Sequence, residues 1–389
     1  MKDKYYRQSI TVGFEYPVIF TRDVFAPGNP VLADVLTRAA GTRPHRAIVY
    51  VDSGVAAKHS GIDRRIEAYF AGHAGELQLA LPPQILPGGE TVKSGTEHAQ
   101  KMVQDFVDAE LCRHSFVMAI GGGAVLDAVG FAASLFHRGL RLVRLPSTVL
   151  AQNDVGVGVK NALNFAGGKN TIGTFSPPWA VVNDFDLLTT LSDRDWINGV
   201  SEAFKVAIIR DSAFFDFLCG HADSFREREQ DAMERLIVRC AELHLEHIRT
   251  SGDPFEFGQA RPLDFGHWSA HKLEVLSGYT VGHGDAVAAG IALDSLYATQ
   301  MGWLTESEFK AIYDGLRTAG FSMWHKELEQ READGMFVVL GGIEDFRRHL
   351  GGTLYITFPN GIGSKQEVSE IDVDLMTQCI EKLKQMGNA

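Results

Sequence analysis

Three histidines lie close together in the stretch LDFGHWSAHKLEVLSGYTVGHGDAVAAG, which otherwise carries little charge. His267 and His271 are four residues apart, so both imidazoles lie on one face if residues 266–276 form a helix. His283 follows in a segment flanked by glycines. Each histidine taken singly is compatible with a structural role, so its chemistry depends on its neighbours.

A second motif, SEAFK, places Glu202 and Lys205 three residues apart on one face of a predicted helix. The two residues form an internal ion pair, or else Glu202 binds a metal while Lys205 faces an anionic substrate. Two histidines and one carboxylate are the ligand set of a catalytic zinc site with an open position. Such a site needs only two of the three histidines, which leaves one for proton transfer.

The motif AIGGGAVLDAVG joins a predicted strand to a predicted helix through Gly121, Gly122 and Gly123. Glycines at such a turn let the backbone approach a pyrophosphate, and a helix N-terminus favours its charge. The motif lacks the G-x-G-x-x-G spacing, so a tight turn without a nucleotide is an equal alternative. Asp127, one helical turn further on, faces either the nucleotide or solvent.

A long glycine-rich segment, LPSTVLAQNDVGVGVKNALNFAGGKNTIGTFSPP, shows little helical or strand regularity. Connections of this length in compact domains are usually functional, although lysines solvated on a flexible loop are the alternative. We expect a phosphate or polyol to bind its polar side chains, which are Asp154, Lys160, Lys169 and Asn170.

Two patterns of elements position these residues. From residue 46, strand-like runs such as RAIVYV, SFVMAI and LRLVRLPS alternate with helical runs, which predicts a parallel sheet with nucleotide at the strand ends. After about residue 184 helical periodicity dominates. We therefore expect an α/β dinucleotide-binding domain over residues 1–185, a mainly α-helical domain over residues 186–389, and a cleft between them.

Composition narrows the choice of partner and compartment. The 389-residue chain has a net charge of -12 and a pI near 5.6, which argues against a nucleic-acid or membrane-binding surface but allows a basic pocket for a small anion. No segment resembles a signal peptide or a membrane span. The four cysteines are far apart in sequence, so no disulfide framework is predicted and we expect a cytoplasmic protein.

Several ordered motifs resemble those of the sugar phosphate cyclases, the family of 3-dehydroquinate synthase and the C7-cyclitol synthases. The resemblance runs from about residue 46 to residue 368 and rests on PGGETVK, GGGAVLD, RLPSTVLAQNDVGVGVKNALNFAGGKNTIGTF, SEAFK, DPFEFGQARPLDFGHWSAHKLE and HGDAVAAGIALD. It implies an NAD-binding domain, a helical metal-binding domain and an active site between them. It also implies a homodimer, because Arg138 matches an arginine that reaches the phosphate pocket of the neighbouring subunit.

The resemblance assigns roles by motif position. Glu202, His267 and His283 match the family's ligands for zinc or cobalt, and His271 remains as the histidine near substrate. The positions that contact NAD correspond to Asp52, Glu90, Lys93, Gly122, Gly123, Asp127, Ser147 and Thr148. The positions that contact substrate correspond to Arg138, Asp154, Lys160, Asn170, Lys205, Asp264 and His271, with Lys169 placed among both sets. Those expected to be catalytic are Asp154, Lys160, Lys205 and His271.

The chemistry implied by the resemblance is a redox-neutral elimination and ring closure. Bound NAD⁺ oxidises a ring hydroxyl held on the metal, phosphate leaves by β-elimination, and NADH reduces the ketone back. Ring opening and an intramolecular aldol step then form a carbocycle. We therefore expect a carbon–oxygen lyase that releases no NADH.

Departures from the 3-dehydroquinate synthase pattern favour another substrate. Its motif before the first metal histidine reads Asn-x-Gly-His, whereas this chain has Asp264. The family's upstream lysine is missing, with Glu246 near its expected place, and the arginine that follows is displaced to Arg261. A carboxylate at position 264 repels the carboxylate of the dehydroquinate precursor but accepts a hydrogen bond from a sugar hydroxyl. We expect sedoheptulose 7-phosphate as substrate, as in the branch that includes the valiolone-type synthases and the EboD-like proteins.

Three alternatives remain open at this point. They are 3-dehydroquinate synthase itself, a metal-dependent alcohol dehydrogenase of related architecture, and a catalytically silent binding protein on the same fold. A dehydrogenase accumulates NADH, whereas a silent protein binds no metal at the Glu/His/His set.

Overall fold

The computed structural model describes residues 5–38, 41, 43–166, 168–255, 262–349 and 351–387. Its N-terminal half contains nine strands and five helices among the described residues. In chain order they are β1 (Val18–Thr21), α1 (Val31–Thr37), β2 (His45–Asp52), α2 (Ser53–Lys58), α3 (Ile62–Gly72), β3 (Leu77–Leu79), β4 (Gln84–Leu86), α4 (Glu97–Asp108), β5 (Phe116–Gly121), α5 (Gly123–Leu135), β6 (Arg141–Pro146), β7 (Lys160–Phe165), β8 (Gly168–Phe175) and β9 (Ala180–Asp184).

The C-terminal half is mainly helical. Its elements are α6 (Asp193–Ile197), α7 (Val200–Arg210), α8 (Ser212–Gly220), α9 (Ala222–Arg226), α10 (Gln230–Thr250), α11 (His267–Leu276), α12 (His283–Gln300), α13 (Glu306–Thr318), α14 (Gly341–His349), β10 (Ile356–Pro359), β11 (Lys365–Val368) and α15 (Val373–Gly387). Among the described residues, no helix is both long and apolar enough to cross a lipid bilayer.

The N-terminal half is built on a seven-stranded parallel sheet in the order β1-β9-β6-β5-β2-β3, with β4 also paired to β2. Neighbouring residues of β2 face opposite cores, Val49 on one side and Tyr50 on the other, so helices cover both faces. The order of the strands reverses between β2 and β5. Their carboxyl ends, Asp52 and Gly121, therefore flank the switch point at which open α/β sheets bind ligands.

The C-terminal half is organised around α12, which is buried along most of its length and packs on α7, α11, α13 and α15. Its small residues allow close approach, since a Cβ at Gly290 would lie 2.0 Å from the carbonyl oxygen of Gly266. Gly266 has a φ of +76°, a left-handed conformation that favours glycine. These contacts place the start of α11, with His267, against the helix that carries His283.

These two halves confirm the predicted fold class, an α/β domain followed by a mainly α-helical domain. The boundary after residue 185 stays a prediction. β9 ends at Asp184 and α6 begins at Asp193, with a short helical turn, Phe185–Leu188, between them.

The segment that we predicted to lack regular structure contains an antiparallel hairpin. β7 and β8 pair Lys160 with Phe175 and Leu163 with Ile172, and the hairpin packs on α5. The sequence hides it because glycine and asparagine are depleted in strands, so the pairing depends on packing and not on local preference. The prediction was therefore wrong for residues 160–165 and 168–175.

Candidate active site

Three helices of the C-terminal half bring Glu202, His267 and His283 together, with one ligand atom from each lying within 4.8 Å of the others. The Oε1 atom of Glu202 is 3.4 Å from Nε2 of His267 and 3.1 Å from Nε2 of His283. Glu202 is fully buried, whereas His283 is partly exposed. A carboxylate and two imidazole nitrogens that converge in this way fit a zinc-type ion with an open position.

Neighbouring cations keep Glu202 ionised. Lys205, one turn further along α7, is also buried and forms an ion pair with Oε2 of Glu202. Burial alone raises the pKa of Glu202, but Lys205 and then His267 hold that pKa well below its usual value. The two alternatives for the SEAFK motif are thus compatible, because Oε2 serves the lysine while Oε1 faces the imidazoles.

Glu274 also belongs to this group, although we did not predict it from the sequence. Its Oε2 atom is 3.4 Å from Nδ1 of His283, and its Oε1 atom accepts a hydrogen bond from Nζ of Lys169 at 2.9 Å. The signal in the sequence was the spacing of His267, His271 and Glu274 at i, i+4 and i+7, which places all three on one face of α11. His271, Glu274 and His283 form a second, overlapping group of ligand atoms within 4.8 Å.

His271 lies beside the ligand set on its exposed side. Its ring centroid is 5.3 Å from that of His267 and 6.1 Å from that of His283. The His271 side chain is exposed, in contrast to buried His267 on the same helix. This position leaves its imidazole accessible to a substrate that is bound next to the metal ligands.

Asp154 and Asp264 belong to the same charged region. Oδ1 of Asp154 is 2.7 Å from Nδ1 of His244. Burial alone raises the pKa of both aspartates, but Lys205 and His244 hold the pKa of Asp154 below its usual value, and Lys160 does so for Asp264. Four of the predicted substrate residues therefore lie near one another, namely Asp154, Lys160, Lys205 and Asp264.

The structure places neither Glu246 nor Arg261, the two upstream departures from the family pattern, in this charged region. Glu246 is exposed on α10. Arg261 lies outside the described residues.

A cavity of about 590 Å³ opens at the switch point between β2 and β5. The start of α5 forms part of its wall and has no side-chain cap, so backbone N–H groups of the first turn are available to bind an anion. Its lining also includes Asp195 and Asn198 from the C-terminal half. Six of the residues predicted to contact NAD line the cavity, namely Asp52, Glu90, Gly122, Gly123, Ser147 and Thr148.

Lys93, Asp127 and Asn170 form a separate network, in which Lys93 and Asp127 are buried and Asn170 is exposed. Nζ of Lys93 donates to Oδ2 of Asp127 at 2.7 Å and to Oδ1 of Asn170 at 2.5 Å. Asp127 is only 8% exposed, so the alternative that it faces solvent is wrong. Burial raises the pKa of Asp127 against the lowering effect of Lys93. Asn170 thereby ties the β7–β8 hairpin to the sheet domain.

Arg138 is remote from these groups. It follows the C-terminal end of α5, whereas Gly123 begins the same helix at the cavity. At a rise of about 1.5 Å per residue, the two ends are roughly 20 Å apart. Arg138 is exposed and does not reach the cleft of its own chain.

Two family models match consecutive parts of the chain: 3-dehydroquinate synthase N-terminal over residues 84–198 and 3-dehydroquinate synthase C-terminal over residues 199–338. The chain belongs to the 3-dehydroquinate synthase family. The resemblance to the sugar phosphate cyclases, predicted from the motifs, is confirmed by these matches. Membership in the family also agrees with the order of the two domains described above.

Individual members of the 3-dehydroquinate synthase family resemble the chain over most of its length. A 2-epi-5-epi-valiolone synthase of Streptomyces hygroscopicus subsp. jinggangensis (strain 5008) is 30% identical, over 94% of this chain and 86% of the relative. Its solved structure, with NAD⁺ and Zn²⁺ bound, has a TM-score of 0.86 at 29% identity and covers 98% of this chain and 100% of that one.

Other similar proteins differ in their named activity. The 3-dehydroquinate synthase of Alkaliphilus metalliredigens (strain QYMF) is 31% identical, over 81% of this chain and 87% of the relative. A solved 2-deoxy-scyllo-inosose synthase, complexed with carbaglucose-6-phosphate, NAD⁺ and Co²⁺, shares the fold with a TM-score of 0.75 at 22% identity, covering 94% and 96% of the two chains. Membership in the family therefore leaves the substrate to be decided by the site.

Proposed function

We propose that this chain is an NAD- and metal-dependent sugar phosphate cyclase, a carbon–oxygen lyase that converts sedoheptulose 7-phosphate into a valiolone-type C7 cyclitol with loss of phosphate. The observation that carries the proposal is that a cavity at the switch point adjoins the Glu/His/His group. Asn198 lines the cavity, and its carbonyl oxygen would be 2.2 Å from a Cβ at Gly284, the residue after His283. A dinucleotide in the cavity would therefore lie next to a substrate held at the Glu/His/His group.

Glu202, His267 and His283 would hold Zn²⁺ or Co²⁺. The fit rests on the convergence of one carboxylate oxygen and two Nε2 atoms. It also rests on the buried Glu202 carboxylate, because Lys205 pairs with only one of its two oxygens. The backbone N–H groups of α5 and the hydroxyls of Ser147 and Thr148 would bind the dinucleotide phosphates. When bound, the metal supplies a Lewis acid and NAD⁺ a reversible hydride acceptor.

Residues on both sides of the cleft would handle the substrate itself. Lys160 and Lys205 provide positive charge for the phosphate and for developing oxyanions. Asp154 and His271 provide proton acceptors within the same cleft. Four other side chains already have protein partners, namely Lys93, Asp127, Lys169 and Asn170. The cofactor contacts expected of the first three and the substrate contact expected of Asn170 therefore stay predictions.

Asp264 supports the choice of sugar. Lys160 favours the ionised form of its carboxylate, and an ionised carboxylate repels the carboxylate of the dehydroquinate precursor. The same group accepts a hydrogen bond from a sugar hydroxyl, which sedoheptulose 7-phosphate offers. Coverage of nearly the whole chain by a valiolone synthase supports the same choice.

A substrate comparison tests the proposal. Purified protein with NAD⁺ and Zn²⁺ should release inorganic phosphate from sedoheptulose 7-phosphate, and not from the dehydroquinate precursor, without accumulating NADH. The reverse preference would contradict the proposal in favour of 3-dehydroquinate synthase. Stoichiometric NADH without phosphate release would indicate an alcohol dehydrogenase, whereas absence of both metal and turnover would indicate a silent binding protein.

We also propose a homodimer in which Arg138 acts in the neighbouring subunit, because it is exposed and roughly 20 Å from its own cavity along α5. The test mixes two inactive variants, Arg138→Ala and His267→Ala, and then dissociates and reassociates their dimers. Random pairing makes half of the dimers mixed, each with one intact site, so about a quarter of wild-type activity should return. No recovery from mixed dimers would contradict the role of Arg138.

The compartment proposed for the reaction is the cytoplasm. All four cysteines are free thiols in the structure, and reduced cysteines are the normal state in that compartment. Cell fractionation of the native host, with detection of the protein in each fraction, would test this. Detection of the protein outside the cytoplasmic fraction would contradict the proposal.

A further inference from the structure

Glu274 connects the metal-ligand group to the sheet domain. It lies on α11 and is 4% exposed, and its two oxygens have different partners. Oε1 accepts from Nζ of Lys169, which is on the β7–β8 hairpin, and Oε2 lies 3.4 Å from Nδ1 of His283. Lys169 therefore anchors the carboxylate from one side while the other oxygen faces the histidine ring.

The ring of His283 is held between two carboxylates. Its Nε2 atom is 3.1 Å from Glu202 and its Nδ1 atom lies toward Glu274. A neutral imidazole carries one N–H, and a carboxylate at Nδ1 favours the tautomer with the hydrogen there. The lone pair then stays on Nε2, which is the atom directed at Glu202. Carboxylates placed in this way fix both the tautomer and the orientation of metal-binding histidines.

Glu274 could instead bind a second cation directly, because His271, Glu274 and His283 also form a compact group. The contact with Lys169 argues against that role. An ammonium group 2.9 Å from Oε1 already neutralises the carboxylate and repels another cation at the same place. The geometry favours an orienting role over direct ligation.

We propose that Glu274, anchored by Lys169, is a positioning residue that holds His283 in the tautomer and orientation needed for metal binding. The proposal rests on the proposed metal site and adds a residue to it. It predicts that metal affinity depends on a side chain that does not touch the metal.

The zinc dissociation constant of the full-length protein, measured by competition with a chromophoric chelator, tests the proposal. Glu274→Gln keeps the size of the side chain but removes its charge, and we expect it to weaken zinc binding about 10- to 100-fold, the usual cost of losing such a partner. Asp345→Asn is the matched control, because Asp345 forms an ion pair at 2.8 Å with Lys272, also on α11. The control should bind zinc within about twofold of wild type.

Two further measurements separate positioning from a general structural role. The metal-free Glu274→Gln protein should melt close to wild type, whereas its Co²⁺ complex should show altered visible absorption bands, which report ligand geometry. If Glu274→Gln does not fold because Lys169 loses its partner, the double variant Lys169→Met/Glu274→Gln removes both charges of the pair. The double variant should also bind zinc more weakly than wild type.

The outcomes that overturn the proposal are distinct. Zinc affinity within about twofold of wild type in a folded Glu274 variant would overturn the positioning role while leaving the metal site intact. A melting temperature that falls together with unchanged Co²⁺ bands would overturn it in favour of a structural role. Absence of zinc binding by wild type itself would overturn both this proposal and the proposed function.

Discussion

Two buried lysine–carboxylate pairs, one in each half of the chain, differ in what surrounds them. In the sheet domain Lys93 pairs with Asp127, and in the helical domain Lys205 pairs with Glu202; both lysines are at most 3% exposed. Burial raises the pKa of Asp127 in spite of Lys93. The pKa of Glu202 is instead lowered, because His267 and His283 add to the effect of Lys205.

The partners of each pair explain this difference. Lys93 has a second acceptor, the amide oxygen of Asn170, so the network is completed by protein groups and joins the hairpin to α5. Glu202 instead directs its second oxygen at two imidazoles that are themselves metal ligands by type. A buried ion pair thus serves as a structural tie in one domain and as part of a candidate metal site in the other.

Replacement of Glu202 should have the largest effect. Glu202→Gln removes the anionic ligand and leaves Lys205 buried without its partner, so we expect zinc binding to fall by more than the roughly 100-fold typical of an outer partner. Turnover should fall with it. Metal analysis of the dialysed protein provides the measurement, and a full zinc content in this variant would contradict the assigned role.

Replacement of Asp127 should affect stability more than metal binding. Asp127→Asn leaves Lys93 buried without a counter-charge, which should lower the free energy of unfolding by about 3–5 kcal/mol. Denaturant unfolding measures this loss, and zinc affinity serves as the internal control. An Asp127→Asn variant that has wild-type stability but does not bind zinc would contradict the structural role assigned to the Lys93–Asp127 pair.

Replacement of Asp264 should change which substrate is preferred. Asp264→Asn removes a negative charge from the cleft, so the ratio of kcat/KM for sedoheptulose 7-phosphate over the dehydroquinate precursor should fall about tenfold, or roughly 1.4 kcal/mol. Asp345→Asn is again the control, because its ion pair with Lys272 lies on the surface. An unchanged ratio would show that Asp264 does not select the sugar.

Asp294 extends the comparison to a buried carboxylate whose partners are neutral donors, so its effect should appear as a dependence of stability on pH. It accepts from Nε1 of Trp268 at 2.9 Å and from the backbone N–H of Gly266 at 3.0 Å, and burial raises its pKa to about 7. The folded state therefore holds a proton that the unfolded state loses above about pH 4.

The raised pKa of Asp294 gives a testable pH dependence. Its contribution to stability is greatest at low pH and is lost as pH rises toward 7, at up to about 1.4 kcal/mol per pH unit. Asparagine does not titrate, so the stability of wild type relative to Asp294→Asn should decline over that window. A difference that is constant with pH in denaturant titrations would contradict the raised pKa.

The sequence predicts local geometry well where periodicity is strong. The spacing of His267 and His271 gives one face of α11, and the SEAFK motif gives a helical pair, because both depend only on neighbours within one helix. The glycine turn after β5 likewise lies at the carboxyl edge of the sheet. In each case the information is contained within a few adjacent residues.

Long-range contacts set the limit of prediction from sequence. The spacing of Glu274 places it on the face of α11 that carries His267 and His271, but only the fold brings His283 and Lys169 to it. The burial of Lys93 with Asp127 depends on contacts between separate segments, and the β7–β8 hairpin depends on packing against α5. These features arise from tertiary contacts, which periodicity in a single sequence does not record.

The most direct test of the central claim is NMR identification of the product formed from sedoheptulose 7-phosphate with a small, catalytic amount of NAD⁺ and with Zn²⁺. A redox-neutral cyclase should give a carbocyclic ketone in large excess over the NAD⁺ added, together with an equal amount of phosphate and no NADH. An uncyclised oxidation product limited by the amount of NAD⁺, with matching NADH, would contradict the claim.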